Sequence, residues 1–451
     1  MPGTTLDRSS ARWALVAVSL GFAVVQLDVS VVNVAIKPIG GDLGGTVSDL
    51  QWVVDAYTIT FAGLILSAGA LGDRIGAKRV FLAGFALFTL ASVACGLAPD
   101  LGLLVLARAV QGIGAAVLVP CSLALLNHAY PAATDRARAV GLWAAGASVA
   151  LSAGPLVGGV LTAAVGWRAV FLINVPLGLL GIVLAARYST ETTRTSGRSL
   201  DLGGQLAGLV ALVAGSAATI EGGRTSFADP VVLGGYVVAV LAAAGFVRIE
   251  RRSCDPMLPL ALFRARSFAV PIGIGFVINV AFYGLIFVLS LYFQEARGLS
   301  VLATGLAFAP TTLAVLVGNL TAGRLTAASG VRRVLAGGGI LVTLSLAGLL
   351  VAGSGSPYSA LVVQLVVLGL GLGVIVPPMT TQTLGSVEPS RSGVASGALN
   401  TARQTGSVVG VALFGALAAD GLVQGLRAAL AISCALGLTV VALALGLDRS
   451  A

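Results

Sequence analysis

Three charged side chains stand inside long apolar runs, where charge is expensive and a function is the default reading: Asp28, Asp55 and Arg108. Counted from the nearer end of their runs they lie about eight, five and seven residues in, so at ~1.5 Å per residue all three fall within ~8 to 12 Å of the same surface. At that shared depth they can meet. In an apolar medium a lone carboxylate favours its proton, whereas a guanidinium beside it holds it ionised. A proton arriving at Asp28 or Asp55 therefore weakens the pairing with Arg108, and its departure restores it. This is proton-coupling chemistry. A structural Asp28–Arg108 pair, and an Asp55 reached by interfacial water, are the alternatives these residues leave open.

The elements that hold such residues follow from composition. The chain has 451 residues, is 57% hydrophobic and only 10% charged, with a mean hydropathy of +0.99, which marks an integral membrane protein. The net charge of +9 does not signal nucleic acid, because the basic residues are strung between apolar runs and form no patch. Cys95, Cys121, Cys254 and Cys434 are scattered without metal-ligand spacing. Neither lysine, Lys37 or Lys78, ends a phosphate-binding loop. No catalytic group, metal site or cofactor is expected, and energy for any transport must come from elsewhere than a nucleotide-binding domain of this kind.

A spanning helix needs ~20 apolar residues. Fourteen candidates begin near Trp13, Leu50, Val80, Leu101, Ala139, Ala169, Leu202, Val231, Phe268, Val301, Val334, Tyr358, Val394 and Ala428. With the N-terminus inside, twenty of the 27 basic residues fall on inner segments, among them Arg194, Arg198, Arg391 and Arg449. Five, namely Lys37, Arg168, Arg224, Arg297 and Arg427, fall outside, and Arg108 and Arg403 lie within spans. That bias places both termini in the cytoplasm.

The halves repeat one another. Ala68-Gly69-Ala70-Leu71 with Gly76, Arg79 and Val80 recurs as Ala322-Gly323-Arg324-Leu325 with Gly330, Arg333 and Val334. Gly112, Gly114 and Pro120 recur as Gly369, Gly371 and Pro377, and Gly141, Gly154 and Gly158 as Gly393, Gly406 and Gly410. The expected layout is a six-helix bundle over 1–187, linkers with two extra spans over 188–266, and a second six-helix bundle over 267–451. Parallel repeats of this kind place a site between the halves near the membrane midplane.

The stretch Gly69-Ala70-Leu71-Gly72-Asp73-Arg74-Ile75-Gly76-Ala77-Lys78-Arg79 resembles the signature loop of the major facilitator superfamily. Asp28 with Asn33, the run Arg108 to Gly114 with Gln111, Gly154-Pro155-Leu156-Val157-Gly158-Gly159 and Trp167 to Pro176 are similar to further signatures of its fourteen-helix drug:proton antiporters. Trp52 to Tyr57, Leu291 to Gly298 and Asn400 to Gly406 resemble the methylenomycin-resistance type of exporter.

The resemblance implies an all-helical transporter that exports a small amphipathic compound, plausibly an antibiotic, against inward proton flow by alternating access. It would act as a monomer in the plasma or inner membrane, with no nucleic-acid partner. Gly69, Asp73, Arg74, Gly76, Lys78 and Arg79 would gate it, Asp73 locking the inner gate against a neighbouring helix N-terminus; Ala327 takes that place in the second copy. Gly154, Pro155, Gly158 and Gly159 would bend and close-pack the fifth span, as in exporters and not importers. Uptake of a metabolite is the alternative.

Candidate substrate contacts are Asn33, Gln111, Asn400, Arg403 and Gln404. The thirteenth span has no internal acid, the nearest being Asp420 at its end, which argues against a cationic substrate range. Arg403 could bind a carboxylate in bidentate fashion or simply hold the halves together. Phe282, Tyr283, Tyr292 and Phe293 could line a cavity or belong to an interfacial aromatic belt.

Overall fold

A computed structural model describes residues 8–192, 201–253, 256, 258–352, 357–388, 392–419 and 421–447. Of the residues singled out above, Arg194, Arg198, Cys254, Arg391, Asp420 and Arg449 lie outside that set. The described residues form helices and turns with no strand among them.

The helices are α1 (Arg8–Leu43), α2 (Val47–Ile75), α3 (Ala77–Gly96), α4 (Leu101–Ala129), α5 (Ala133–Ala164), a short α6 (Ala169–Leu172) and α7 (Asn174–Tyr188). They continue with α8 (Leu202–Arg224), α9 (Pro230–Arg252), α10 (Arg266–Leu291), α11 (Val301–Ser329), α12 (Val331–Ala352), α13 (Tyr358–Gly385), α14 (Ser392–Ala419) and α15 (Leu422–Leu445).

Local chemistry sets their ends. Thr46 and Asp49 make a reciprocal cap on α2, and Asp100, Asp201, Asp229 and Ser300 accept backbone N–H groups at the starts of α4, α8, α9 and α11. Among the described residues thirteen spans are long and apolar enough to cross a membrane, with α6 and α7 together forming one. The fourteenth expected span, α14, has the length, 28 residues. Its first half carries Asn400, Arg403 and Gln404, which dilute its hydropathy.

Two groups of helices pack alike. In the first, α1 lies along α5, α4 takes α2 and α3, and α7 closes against α1 and α3; in the second, α10 lies along α14, α13 takes α11 and α12, and α15 closes against α10 and α12. The same joint recurs in both. A Cβ on Gly158 of α5 would overlap the Val31 carbonyl of α1, and one on Gly410 of α14 would overlap the Val280 carbonyl of α10. Small residues let membrane helices approach at backbone distance, where dispersion replaces the missing hydrophobic drive.

The groups meet along two seams, α5 with α11 and α2 with α14. In the first, two glycines touch: a Cβ on Gly159 would stand 2.9 Å from Gly305 Cα. In the second, Gln51 Nε2 donates to the carbonyls of Val411 at 3.0 Å and Ala412 at 2.9 Å. Between the seams Ser290 Oγ donates to Asn33 O at 2.8 Å, Gln294 Nε2 to Val34 O at 3.1 Å, and Lys37 Nζ to Gln294 O at 2.7 Å. The end of the bundle that carries Lys37 is thereby closed. Toward the end that carries Arg74, Gly141 of α5 and Gly323 of α11 have open space around them. Helix α8 packs on both α2 and α14, straddling their seam, and α9 packs on α8.

Candidate functional site

Asp28 is fully buried on α1 and is ion-paired with Arg108 of α4, itself 1% exposed. Its Oδ1 accepts from Gln111 Nε2 at 2.9 Å and from Asn174 Nδ2 at 2.8 Å. Arg108 donates through Nε to Val53 O at 2.9 Å and through Nη1 to Gln111 Oε1 at 2.6 Å. The Tyr57 ring lies 4.2 Å from its Cζ. Gln111 also donates to Ser92 Oγ at 2.8 Å, so α1, α3, α4 and α7 meet in one network with α2. Adding a proton to Asp28 turns an acceptor into a donor and removes the charge that Arg108 faces. The bonds of Arg108 to Val53 O and of Gln111 to Ser92 Oγ do not depend on that charge, whereas the ion pair does.

One sequence expectation changes here. Asp55 does not join this centre. Val53 and Tyr57, on the Arg108 side of α2, are each two residues away, and two residues turn a helix by about 200°. Asp55 instead follows Gln51 by one turn, on the face toward α14. It is fully buried and neither carboxylate oxygen has a hydrogen-bond partner among the described residues. Gln111, expected to touch substrate, is spent on Asp28, Arg108 and Ser92.

Between the two groups lies a narrow cleft lined by α1, α5, α10 and α11, closed down here to ≈ 10 Å³, about the room of one water molecule. Asn33 Oδ1, Tyr283 OH and Thr311 Oγ1 are buried there without partners. Polar atoms left unpaired inside a protein are costly, and three around one apolar cleft make it the candidate binding site. Pro155, Ser152 and Phe282 are also in its wall. Tyr292 and Phe293 are not; they line a separate cavity with Leu289 and Arg427.

On α14, Asn400 Nδ2 donates to Ser396 O at 3.0 Å and Gln404 Oε1 is buried without a partner. Arg403 lies across Gly275 of α10, its Nε buried and unpartnered, with no ion pair among the described residues.

The loop between α2 and α3 is fixed from an unexpected quarter. Gly76 adopts φ +107°, which only glycine takes cheaply. Beyond it, Lys78 N donates to Glu191 Oε1 at 2.9 Å and Ala77 N to Thr192 Oγ1 at 3.0 Å. Lys78 Nζ donates to Ala186 O at 2.7 Å, and Arg79 Nε stands 3.7 Å from Glu191 Oε2. A carboxylate at the start of α3 complements the helix dipole. Gly69 packs beside Pro120, and Asp73 and Arg74 occupy the last turn of α2.

Several of these residues escaped the sequence reading. Asn174 stood in a recognised stretch, and its signal was an amide in an apolar span. Gln294 likewise stood in the recognised stretch Leu291 to Gly298, while Glu191 gave no signal, because it lies just past the end of α7 where polar residues are ordinary.

A profile of the Major Facilitator Superfamily matches residues 18–411 and 271–450. The chain is similar to the methylenomycin A resistance protein of Streptomyces coelicolor, 39% identical over 89% of this chain and 84% of that protein. It is also similar to the multidrug resistance protein Stp of Mycobacterium tuberculosis, 37% identical over 90% of this chain and 75% of that protein. Among solved structures, a bacterial homologue of the human lysosomal transporter Spinster, inward-facing and unoccupied, superposes with a TM-score of 0.66 at 17% identity, covering 97% of each chain.

Proposed function

The chain belongs to the Major Facilitator Superfamily, and from that premise we propose that it expels a small amphipathic antibiotic by alternating access, driven by protons moving inward. The buried Asp28–Arg108 pair carries the proton part of this reading. Resistance proteins of similar sequence support the export part. Residues 1–187 and 267–451 act as the moving halves and 188–266 as their connection. Both termini lie in the cytoplasm, so the closed Lys37 end faces outward and the signature loop at Asp73 faces inward, where it gates the opposite state. The basic-residue bias supports this orientation.

Substrate rests in the cleft at Asn33, Tyr283 and Thr311. A proton reaching Asp28 dissolves its pairing and frees the first group of helices to shift. Asp55, on the other face of α2, takes part through the α2–α14 seam and not through Arg108. Asn400, Arg403 and Gln404 meet the substrate from α14. One charge moving through 100 mV supplies ~2.3 kcal/mol, roughly a fifty-fold concentration ratio at ~1.4 kcal/mol per decade.

The test is efflux into everted vesicles energised by a pH gradient, with the compound chosen from the susceptibility profile of an efflux-deficient host. Uptake should collapse with an uncoupler, and Asp28→Asn should abolish it at equal protein level. Full gradient-driven transport by Asp28→Asn would sink the assignment. In the same assay Arg403→Ala should remove transport of acidic compounds and spare neutral ones; equal loss of both makes Arg403 a structural contact.

A further inference from the structure

We propose that the Arg74-end terminus of α9 is a docking surface for an anionic phospholipid, with its headgroup on Arg248, Arg251 and Arg252 and a chain lying over Ala243, Ala244 and Val247. These six residues line one shallow groove on the outside of the bundle. Arg248, Arg251 and Arg252 are spaced three and four residues apart and so share a helix face. All three are exposed, and none has an ion pair among the described residues.

The one acid of that turn does not neutralise them. Glu250 is 3% exposed and points the other way, accepting from Leu258 N at 3.1 Å. It converges with Asp201 on Gly204 at the start of α8. Among the described residues the three guanidinium groups therefore have no counter-charge, and an anion from outside can supply it.

The position selects a lipid over a soluble anion. Only 6% of the apolar window of α9 is buried, the least of any span, so hydrocarbon surrounds this helix on nearly every side. Its 23 residues reach ~35 Å at ~1.5 Å per residue, against a hydrocarbon core of ~30 Å. The arginines thus stand at headgroup level. The small side chains one turn deeper leave a furrow for a chain attached to that headgroup. Charge and apolar furrow in this order match an intact anionic lipid, and clustered arginines beside a span recognise such headgroups. The surface stands independently of the direction of transport.

Thermal unfolding of the full chain in detergent tests it. Added phosphatidylglycerol should raise the Tm of the unmodified protein, and R248Q/R251Q/R252Q should lose at least half of that rise, since exposed substitutions leave the fold intact. R324Q/R333Q, which removes two exposed arginines elsewhere, should keep it. Phosphatidylcholine and inorganic phosphate should give no comparable rise. Native mass spectrometry should show one phosphatidylglycerol fewer retained by the triple variant. An equal rise in the triple variant, an equal loss in R324Q/R333Q, or an equal effect of phosphatidylcholine or phosphate would overturn the proposal.

Discussion

Asn174 is the residue through which the Asp28 centre reaches α7. Its amide is a fixed donor to a buried carboxylate, and hydrogen bonds to charged groups contribute about 1.5–3 kcal/mol. Asn174→Ala should lower the Tm accordingly and reduce the maximal rate of gradient-driven efflux while the KM for substrate stays unchanged, because the side chain does not line the cleft. A raised KM with an unchanged maximal rate would place Asn174 at the substrate instead. The same centre marks how far sequence reasoning carries at this scale. Depth can be counted along a chain, and the depth argument brought Asp28 and Arg108 together. Azimuth cannot be counted until one neighbour is known. Asp55 has the right depth and the wrong face, and only the Gln51 contacts to α14 reveal which face that is. Gln111 shows a related limit: an amide in a span can serve a ligand or a neighbouring ion pair, and residue type does not distinguish the two; here it is bonded to Asp28, Arg108 and Ser92.

The helices themselves were legible because each is an apolar run of membrane length. The expected starts run up to about half a dozen residues late, as at Trp13 against Arg8 and Ala139 against Ala133, because capping and interfacial turns are polar and extend the helix past its apolar core. The repeat was legible through its glycines, whose role emerges only in the packing. Gly158 and Gly410 are one joint used twice, each accepting a backbone carbonyl where a methyl group would sit. Gly158→Ala and Gly410→Ala should each cost about 1–3 kcal/mol, the range for overpacking a tight contact, read as a lowered Tm in detergent. Gly141→Ala, on the same helix with open space around it, should leave the Tm unchanged. If all three variants melt alike, the glycines are compositional and not joints.

At the scale of the whole molecule the duplication is imperfect, and the imperfection has a direction. The two seams occupy equivalent places in the repeat, yet α8 lies over only one of them, hydrogen-bonded through Gln205 to Gly63 of α2 and packed at Gly223 on Ala416 of α14. Among the described residues no helix covers the α5–α11 seam in this way, and Val149 of α5 and Leu313 and Leu320 of α11 are exposed. Spin labels at Gly141 and Gly323, across the bare seam, should therefore change separation more on addition of substrate or acid than labels at Arg74 and Val394 across the covered one, as read by pulsed electron spin resonance. Equal changes would mean that α8 rides passively. If the labels move as expected, the inserted pair of helices is the spine of a book: the covers open away from α8, and the axis of rotation lies off-centre instead of through the middle of the bundle. A carrier hinged on one edge presents its cleft sideways as well as endwise, so a compound already dissolved in the lipid meets the opening along the edge opposite the spine.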